Sequence, residues 1–265
     1  MAAPAKSATK PAAATKRPRT SARVLYLYGI SKMPQRRAPV ITAEGVDGAV
    51  PVEAVRCKDY LCWISRVPKA EFADHLTERM QDLEWLASSG LRHQRVVAAI
   101  AGKLPTLPAR FATVFLSEAS LAKHVEERRG VLRAAFARVA DADEWGVKVF
   151  AVARRKTSAV AAPPSGSEYL KRKAAMLQPR SPKKLDEDVQ QFVSALKDLA
   201  VANSPGGKAS AGQPGLIWHG SFLVRRKDRS KLESLLSKYA HEWQDTRRID
   251  CSGPWPPYSF VGEHV

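Results

Sequence analysis

The sequence predicts an α+β protein of two domains, the first with strands followed by helices and the second with strands and helices that alternate. Two observations favour this class. Apolar and aromatic runs typical of strands gather at residues 24–68, whereas apolar residues at helical spacing dominate residues 72–139. From Glu144 onward, the order strand, helices, strand, helix, strand indicates a modified ferredoxin-like domain without an obvious fourth strand. The predicted boundaries are a disordered basic tail at 1–23, an N-terminal α+β domain at 24–140 and a C-terminal domain at 141–265.

Strands open the N-terminal domain. Residues 24–30, VLYLYGI, form a continuous apolar and aromatic run that is typical of a strand buried on both faces. A stretch at 40–57 that contains valine and isoleucine is interrupted by the turn-forming pair Asp47-Gly48, so it predicts short hairpin strands. Residues 61–68, LCWISRVP, predict a further strand.

Helices follow in the same domain. Apolar residues three and four positions apart predict one helix that starts near Phe72 and is ended by Gly90, and a second helix that stops before Pro105. The segment 109–116, ARFATVFL, predicts a strand, and the apolar spacing within 121–139 predicts another helix.

The C-terminal domain alternates the two kinds of element. Residues 144–153 predict a strand, a helix is expected to begin near Ser167, and a second helix is expected at 189–199. The stretch 203–215, NSPGGKASAGQPG, is predicted to be a flexible loop because of its composition. Residues 215–224, GLIWHGSFLV, predict a strand that is followed by a helix.

The formal charge of +17 is concentrated in two places. Six cations and no acid lie in the tail at 1–23, and nine cations with one acid lie in a connector at 154–184. No helix-turn-helix, zinc-finger or RNA-recognition pattern accompanies them. A solvated tail is therefore the simpler interpretation, and a basic-tailed nucleic-acid-binding protein is the alternative function.

The residues predict neither a catalytic site nor a cofactor. Cys57, Cys62 and Cys251 are too few and too widely spaced for a disulfide framework or a typical zinc site, and the six histidines form no close pair. Nucleotide-binding and nucleophile motifs are absent, so we expect a protein that is not an enzyme. The chain also has no apolar run of the ~20 residues that a membrane span needs, and we expect it to be cytoplasmic.

Five sequence blocks resemble one family. They are, in order, VLYLYGISKMP, ARFATVFLSE, EWGVKVFAV, SGSEYLKRK and CSGPWPPYSFVGEHV, and in this order they are similar to the GvpL/GvpF family of gas vesicle proteins. The similarity runs from about Val24 to the last residue, and GPWPPYSF is its most specific part. One block differs from the family pattern PLRFGT, because Ala109 and Ala112 replace its second and fifth residues.

The resemblance implies a protein of gas vesicles, the hollow protein shells that make cells buoyant. It implies a minor component or assembly factor that binds the small hydrophobic shell protein and prevents its aggregation. Other gas vesicle accessory proteins are expected as further partners. It also implies two domains, the second of modified ferredoxin-like type, with no catalytic residues.

The same blocks supply the candidate interaction residues. Arg110 and Phe111 lie in ARFAT, and Trp255, Tyr258 and Phe260 lie in the closing segment, residues 252–265. Because large aromatic side chains are usually buried, we expect this segment to form a lid on the protein's own core, and not a free polyproline ligand. The prolines are expected to hold it along a sheet edge. Trp255 is expected to be among the buried rings.

Overall fold

The structure, a computed structural model, describes residues 22–35, 37–152, 186–206 and 213–262. It is a mixed α+β fold built on two antiparallel sheets, which confirms the predicted fold class. Nearly all of the predicted basic tail, the connector at 154–184 and the helix predicted near Ser167 lie outside these described residues.

The first sheet is built around one buried strand. Its strand order is β2-β3-β1-β4, and β5 also pairs with β1. Residues 24–30 of β1 are buried on both faces, as the VLYLYGI run predicts. The strands are β1 (Arg23–Lys32), β2 (Glu53–Cys57), β3 (Tyr60–Pro68), β4 (Thr106–Pro108) and β5 (Val114–Phe115).

Helices cover both faces of this sheet. Because side chains alternate along a strand, Tyr26 and Tyr28 of β1 pack towards α2, whereas Leu25 and Leu27 pack towards α3 and α4. The helices are α1 (Leu76–Arg79), α2 (Leu83–Ala101), α3 (Glu118–Glu127) and α4 (Arg129–Arg138).

Helix α2 runs through Gly90, so the prediction that this glycine ends a helix is wrong. Asp82 caps the start of the helix, and its carboxylate accepts hydrogen bonds from the amides of Glu84 and Trp85 at 3.0 and 3.1 Å. A glycine inside a helix lowers its stability by only about 1 kcal/mol, which the burial of residues such as Val97 offsets.

Three other element predictions in this half need correction. Of the expected hairpin strands at 40–57, the structure has only β2, with a turn in which the Gly48 amide donates to the Gly45 carbonyl at 2.9 Å. Of the strand predicted at 109–116 only β5 forms, because the chain turns at Ala112, which has a φ of 66°. The single helix predicted at 121–139 is two helices that meet at Arg128.

The second sheet contains a strand that the sequence does not reveal. Its strand order is β7-β8-β6-β9, and α5 (Glu187–Leu199) and α6 (Arg229–Glu242) complete a ferredoxin-like βαββαβ order. The missed strand is β7, ANSP, which lacks β-branched and aromatic residues and was expected to be loop. Its proline is tolerated because β7 is an edge strand. The strands are β6 (Ala142–Ala151), β7 (Ala202–Pro205), β8 (Leu216–Arg225) and β9 (Arg247–Trp255).

Side chains from both sheets meet in one hydrophobic core, called here the shared core. The predicted domain boundary near residue 140 stays a prediction, since residues on each side of it contribute to this core. Members of the shared core include Leu25, Leu27, Leu121, Phe136, Ala142, Leu223, Phe260 and Val261.

Candidate interaction groove

An apolar groove of about 650 Å³ lies between helix α2, the loop after β4 and the closing segment. We call it the α2 groove. Leu91 on its wall is 48% exposed, so the groove offers apolar surface to an approaching molecule. Its lining residues are Leu86, Ala87, Gly90, Leu91, His93, Gln94, Arg110, Phe111 and Tyr258.

The base of the α2 groove is an aromatic cluster centred on His93. The ring of His93 stacks on that of Tyr28, with centroids 5.8 Å apart and planes at 30°. It meets the Phe111 ring edge-on at 5.8 Å and lies 6.3 Å from the Tyr258 ring. Strand β1, helix α2, the loop after β4 and the closing segment each supply one of these rings, so the cluster joins four separate parts of the chain.

His93 is held as a neutral imidazole. Burial in the aromatic cluster lowers its pKa to about 4, although the nearby Ala109 carbonyl favours the charged ring. The Tyr26 hydroxyl lies 2.9 Å from His93 Nδ1 and accepts a hydrogen bond from the Ala112 amide at 3.1 Å. The Tyr26 hydroxyl thus joins the imidazole ring of His93 to the turn at Ala112.

Two buried polar atoms beside the α2 groove have no hydrogen-bond partner among the described residues. They are Nε2 of His93 and the hydroxyl of Tyr258. The carbonyl of Ala109 lies near His93 but makes no hydrogen bond of ordinary geometry with Nε2. Burial also raises the pKa of the Tyr258 hydroxyl, which therefore stays protonated. Unpaired buried polar groups are unfavourable, so these two atoms lower the stability of the aromatic cluster.

The closing segment is anchored to both halves of the chain. Ser259 donates from its amide and its hydroxyl to the Glu144 carboxylate at 2.8 and 2.6 Å. The guanidinium of Arg138 donates to the Phe260 carbonyl at 3.4 Å. Phe260 and Val261 are 5% and 4% exposed in the shared core. This part of the segment forms the predicted lid on the protein's own core.

The prediction that Trp255 is buried is wrong, because its side chain is 45% exposed. Trp255 is the last residue of edge strand β9, paired with Glu144 of β6. Its ring borders a separate cleft of about 360 Å³ that Phe136 and Pro257 also line. Of the three prolines expected along a sheet edge, Pro254 lies within β9, whereas Pro256 and Pro257 follow the end of that strand.

Comparison with known proteins identifies the family. The family model for the gas vesicle synthesis protein GvpL/GvpF matches residues 24–262. The chain belongs to the GvpL/GvpF family. It is 27% identical to gas vesicle protein L of a Streptomyces species over 253 residues, which cover 91% of this chain and 93% of that protein. It is 24% identical to gas vesicle protein F1 of Halobacterium salinarum, over 91% of this chain and 94% of that protein.

Solved GvpF structures share the fold. The crystal structure of GvpF from Anabaena sp. PCC7120 aligns with a TM-score of 0.64 at 19% identity, over 92% of this chain and 98% of that one. GvpF from Microcystis aeruginosa aligns with a TM-score of 0.61 at 18% identity, over 90% and 99%. At these identities the likeness concerns the fold alone.

Three of the five candidate interaction residues meet in the α2 groove. Arg110 and Phe111 of the GvpL/GvpF block ARFAT lie beside Tyr258 of the block PPYSF. Phe260 packs in the shared core, and Trp255 lies at the neighbouring cleft. Sequence reasoning missed His93 and Leu91. A lone histidine and an exposed leucine on a helix carry no signal of their own, and only the periodicity of α2 could have placed them on one face.

Ala112, where the resemblance to the family leads us to expect glycine, has a left-handed backbone. Ala112 has a φ of 66°, a region that glycine adopts at no steric cost. Its amide donates to the Tyr26 hydroxyl, so the turn fixes the hydrogen bond that orients His93. The alanine side chain therefore does not prevent the tight turn.

Replacing Ala112 with glycine is expected to raise the free energy of unfolding by about 0.5 to 1 kcal/mol. Relief of the left-handed strain, about 1 to 2 kcal/mol, exceeds the added backbone entropy of glycine. Urea unfolding of the variant measures the change. Ala109→Gly is the control, because Ala109 is buried without a positive φ and its replacement should destabilise. Destabilisation by Ala112→Gly would contradict the strain argument.

Proposed function

We propose that this chain is a minor gas vesicle component or assembly factor that binds the hydrophobic shell subunit through the α2 groove. By covering that subunit it prevents aggregation during gas vesicle formation in the cytoplasm. Membership of the GvpL/GvpF family supports a gas vesicle-associated role. The observation that carries the proposal is the convergence of the blocks ARFAT and PPYSF in one apolar groove.

The chemistry of the α2 groove suits an apolar partner. A subunit that forms a water-excluding wall exposes apolar surface before it assembles, which favours aggregation. Leu91 and Phe111 on the wall of the α2 groove offer apolar contact to such a surface. The activity proposed is binding without catalysis, with the shell protein and other gas vesicle accessory proteins as partners.

A change of Leu91 to glutamate is expected to abolish protection of the shell subunit. The substitution places a charge on the apolar wall of the α2 groove, where docking of an apolar segment would bury it. The assay co-expresses the shell subunit with this chain and measures the pelleted fraction of the subunit. Less shell protein should pellet with the wild-type chain than without it, and Leu91→Glu should remove this difference.

Leu83→Glu is the matched control for this experiment. Leu83 lies on the same helix and is 79% exposed, but it does not line the α2 groove. It should protect as the wild type does, and both variants should keep the wild-type melting temperature. Equal pelleting with and without the wild-type chain would refute the function. Full protection by Leu91→Glu would refute the groove as the binding site.

A further inference from the structure

A second concave surface is lined mainly by cations. It has a volume of about 510 Å³ and lies where the β2–β3 turn meets the end of β1 and the start of α4. We call it the basic cleft. Its lining residues are Lys32, Met33, Arg56, Lys58, Asp59, Tyr60, Arg129 and Arg133.

The fold brings these cations together from separate parts of the chain. Lys32 is the last residue of β1, Arg56 precedes the end of β2, and Lys58 forms the turn with a φ of 54°. Arg129 and Arg133 lie one helical turn apart at the start of α4, so they share a face.

Only two of the five cations are paired with carboxylates in the part of the chain that the structure describes. Lys58 Nζ lies 3.3 Å from the Glu126 carboxylate, and Arg129 pairs with Asp59. The other three cations have no ion pair with a carboxylate among the described residues. The unpaired cations of the basic cleft are Lys32, Arg56 and Arg133.

The contacts that these three cations make do not neutralise their charges. Arg56 donates from Nε to the Lys58 carbonyl at 3.3 Å, and Lys32 Nζ lies 5.3 Å from the centre of the Phe136 ring. Arg133 and Arg129 repel each other on α4. Several like charges around a concave surface produce a positive potential that attracts anions.

We propose that the basic cleft binds an acidic segment of a partner protein, with Arg56 and Arg133 each pairing with a carboxylate. Guanidinium groups bind carboxylates through paired, charge-assisted hydrogen bonds. The surface of Met33 provides an apolar contact beside them for the aliphatic part of such a segment. This proposal is independent of the α2 groove and of the shell subunit.

The arrangement of charge favours a protein partner over a nucleic acid. Asp59 lines the basic cleft and Glu126 pairs with Lys58 at its edge. These two carboxylates neutralise Lys58 and Arg129, so the cleft lacks the dense run of unpaired cations that a phosphate backbone would neutralise. The cleft is also a compact concavity and not a track of cations along one helix.

Fluorescence anisotropy with the full chain tests the proposal. The probe is a labelled synthetic peptide in which glutamates alternate with leucines, and a labelled single-stranded oligonucleotide is the comparison. The double variant Arg56→Gln/Arg133→Gln should raise the Kd for the peptide about tenfold or more, because two charge-assisted contacts are lost. Added salt should weaken wild-type binding.

The double variant Arg95→Gln/Arg225→Gln is the matched control. It removes the same two charges of the same residue type from exposed positions outside the basic cleft. Its Kd should stay within about twofold of the wild-type value. Equal weakening in both variants, or absence of peptide binding by the wild type, would overturn the proposal. So would tighter binding of the oligonucleotide that is lost selectively in Arg56→Gln/Arg133→Gln.

Discussion

Replacing Phe260 with alanine is expected to lower the free energy of unfolding by about 3 to 5 kcal/mol. The ring is 5% exposed and packs in the shared core, where residues from both sheets meet. Its removal leaves a cavity that the neighbouring strands cannot fill. The loss is large relative to a typical total stability of about 5 to 15 kcal/mol. Urea unfolding followed by circular dichroism measures it.

Trp255→Ala is the paired control in the same segment. Because the Trp255 ring is 45% exposed, its truncation should lower the free energy of unfolding by less than about 1 kcal/mol. The two variants together locate the anchor of the closing segment. If Trp255→Ala destabilised the protein as much as Phe260→Ala, the residues that hold the closing segment in place would have to include the end of β9. A Phe260→Ala loss below about 1 kcal/mol would show that the shared core does not need the segment.

Stability is expected to fall by about 3 kcal/mol between pH 6.5 and pH 4 because of His93 alone. Burial lowers its pKa from 6.5 in a free chain to about 4 in the folded protein. The folded state therefore binds fewer protons than the unfolded state within this window. The contribution is fully present above pH 6.5, and it is lost as the pH falls towards 4.

His93→Gln should show a smaller loss of stability over that range than the wild type. The variant has lower stability at neutral pH because it lacks the aromatic contacts, so the slope with pH is the informative quantity. His241→Gln is the control for the loss of a histidine, since His241 is exposed on α6. The described residues lining the α2 groove include no carboxylate to mask the effect. An unchanged slope in His93→Gln would contradict the assignment.

Elements with strong local signals could be predicted from the sequence. The run VLYLYGI gave the central strand because its side chains are apolar on both faces, and β3, β6 and β8 have similar signals. Strand β7 has none, since ANSP forms a strand only through its pairing with β8. Helix α2 likewise continues through Gly90 because of its packing, and the helix propensity of neighbouring residues does not predict this.

The candidate groove could be predicted only in part. The family blocks brought Arg110, Phe111 and Tyr258 to attention, but nothing in one sequence places residues 110 and 258 side by side. That contact depends on the shared core, in which Phe260 and Val261 anchor the closing segment. The expectation for Trp255 failed for a related reason, because an aromatic ring at the end of an edge strand has only one neighbouring strand to cover it.

The position of Phe260 and Val261 has a consequence for synthesis of the chain. Both residues complete the shared core, yet they follow every strand of the described chain. While the ribosome is still making the second sheet, the apolar side of β1 and α4 lacks its last covering side chains. Chains fold from the N-terminus as they emerge, so a product of interrupted translation would keep this surface open to proteases and chaperones. Residues 258–261 close the shared core and bring Tyr258 to the α2 groove together, so a chain that stops at the end of β9 lacks both features.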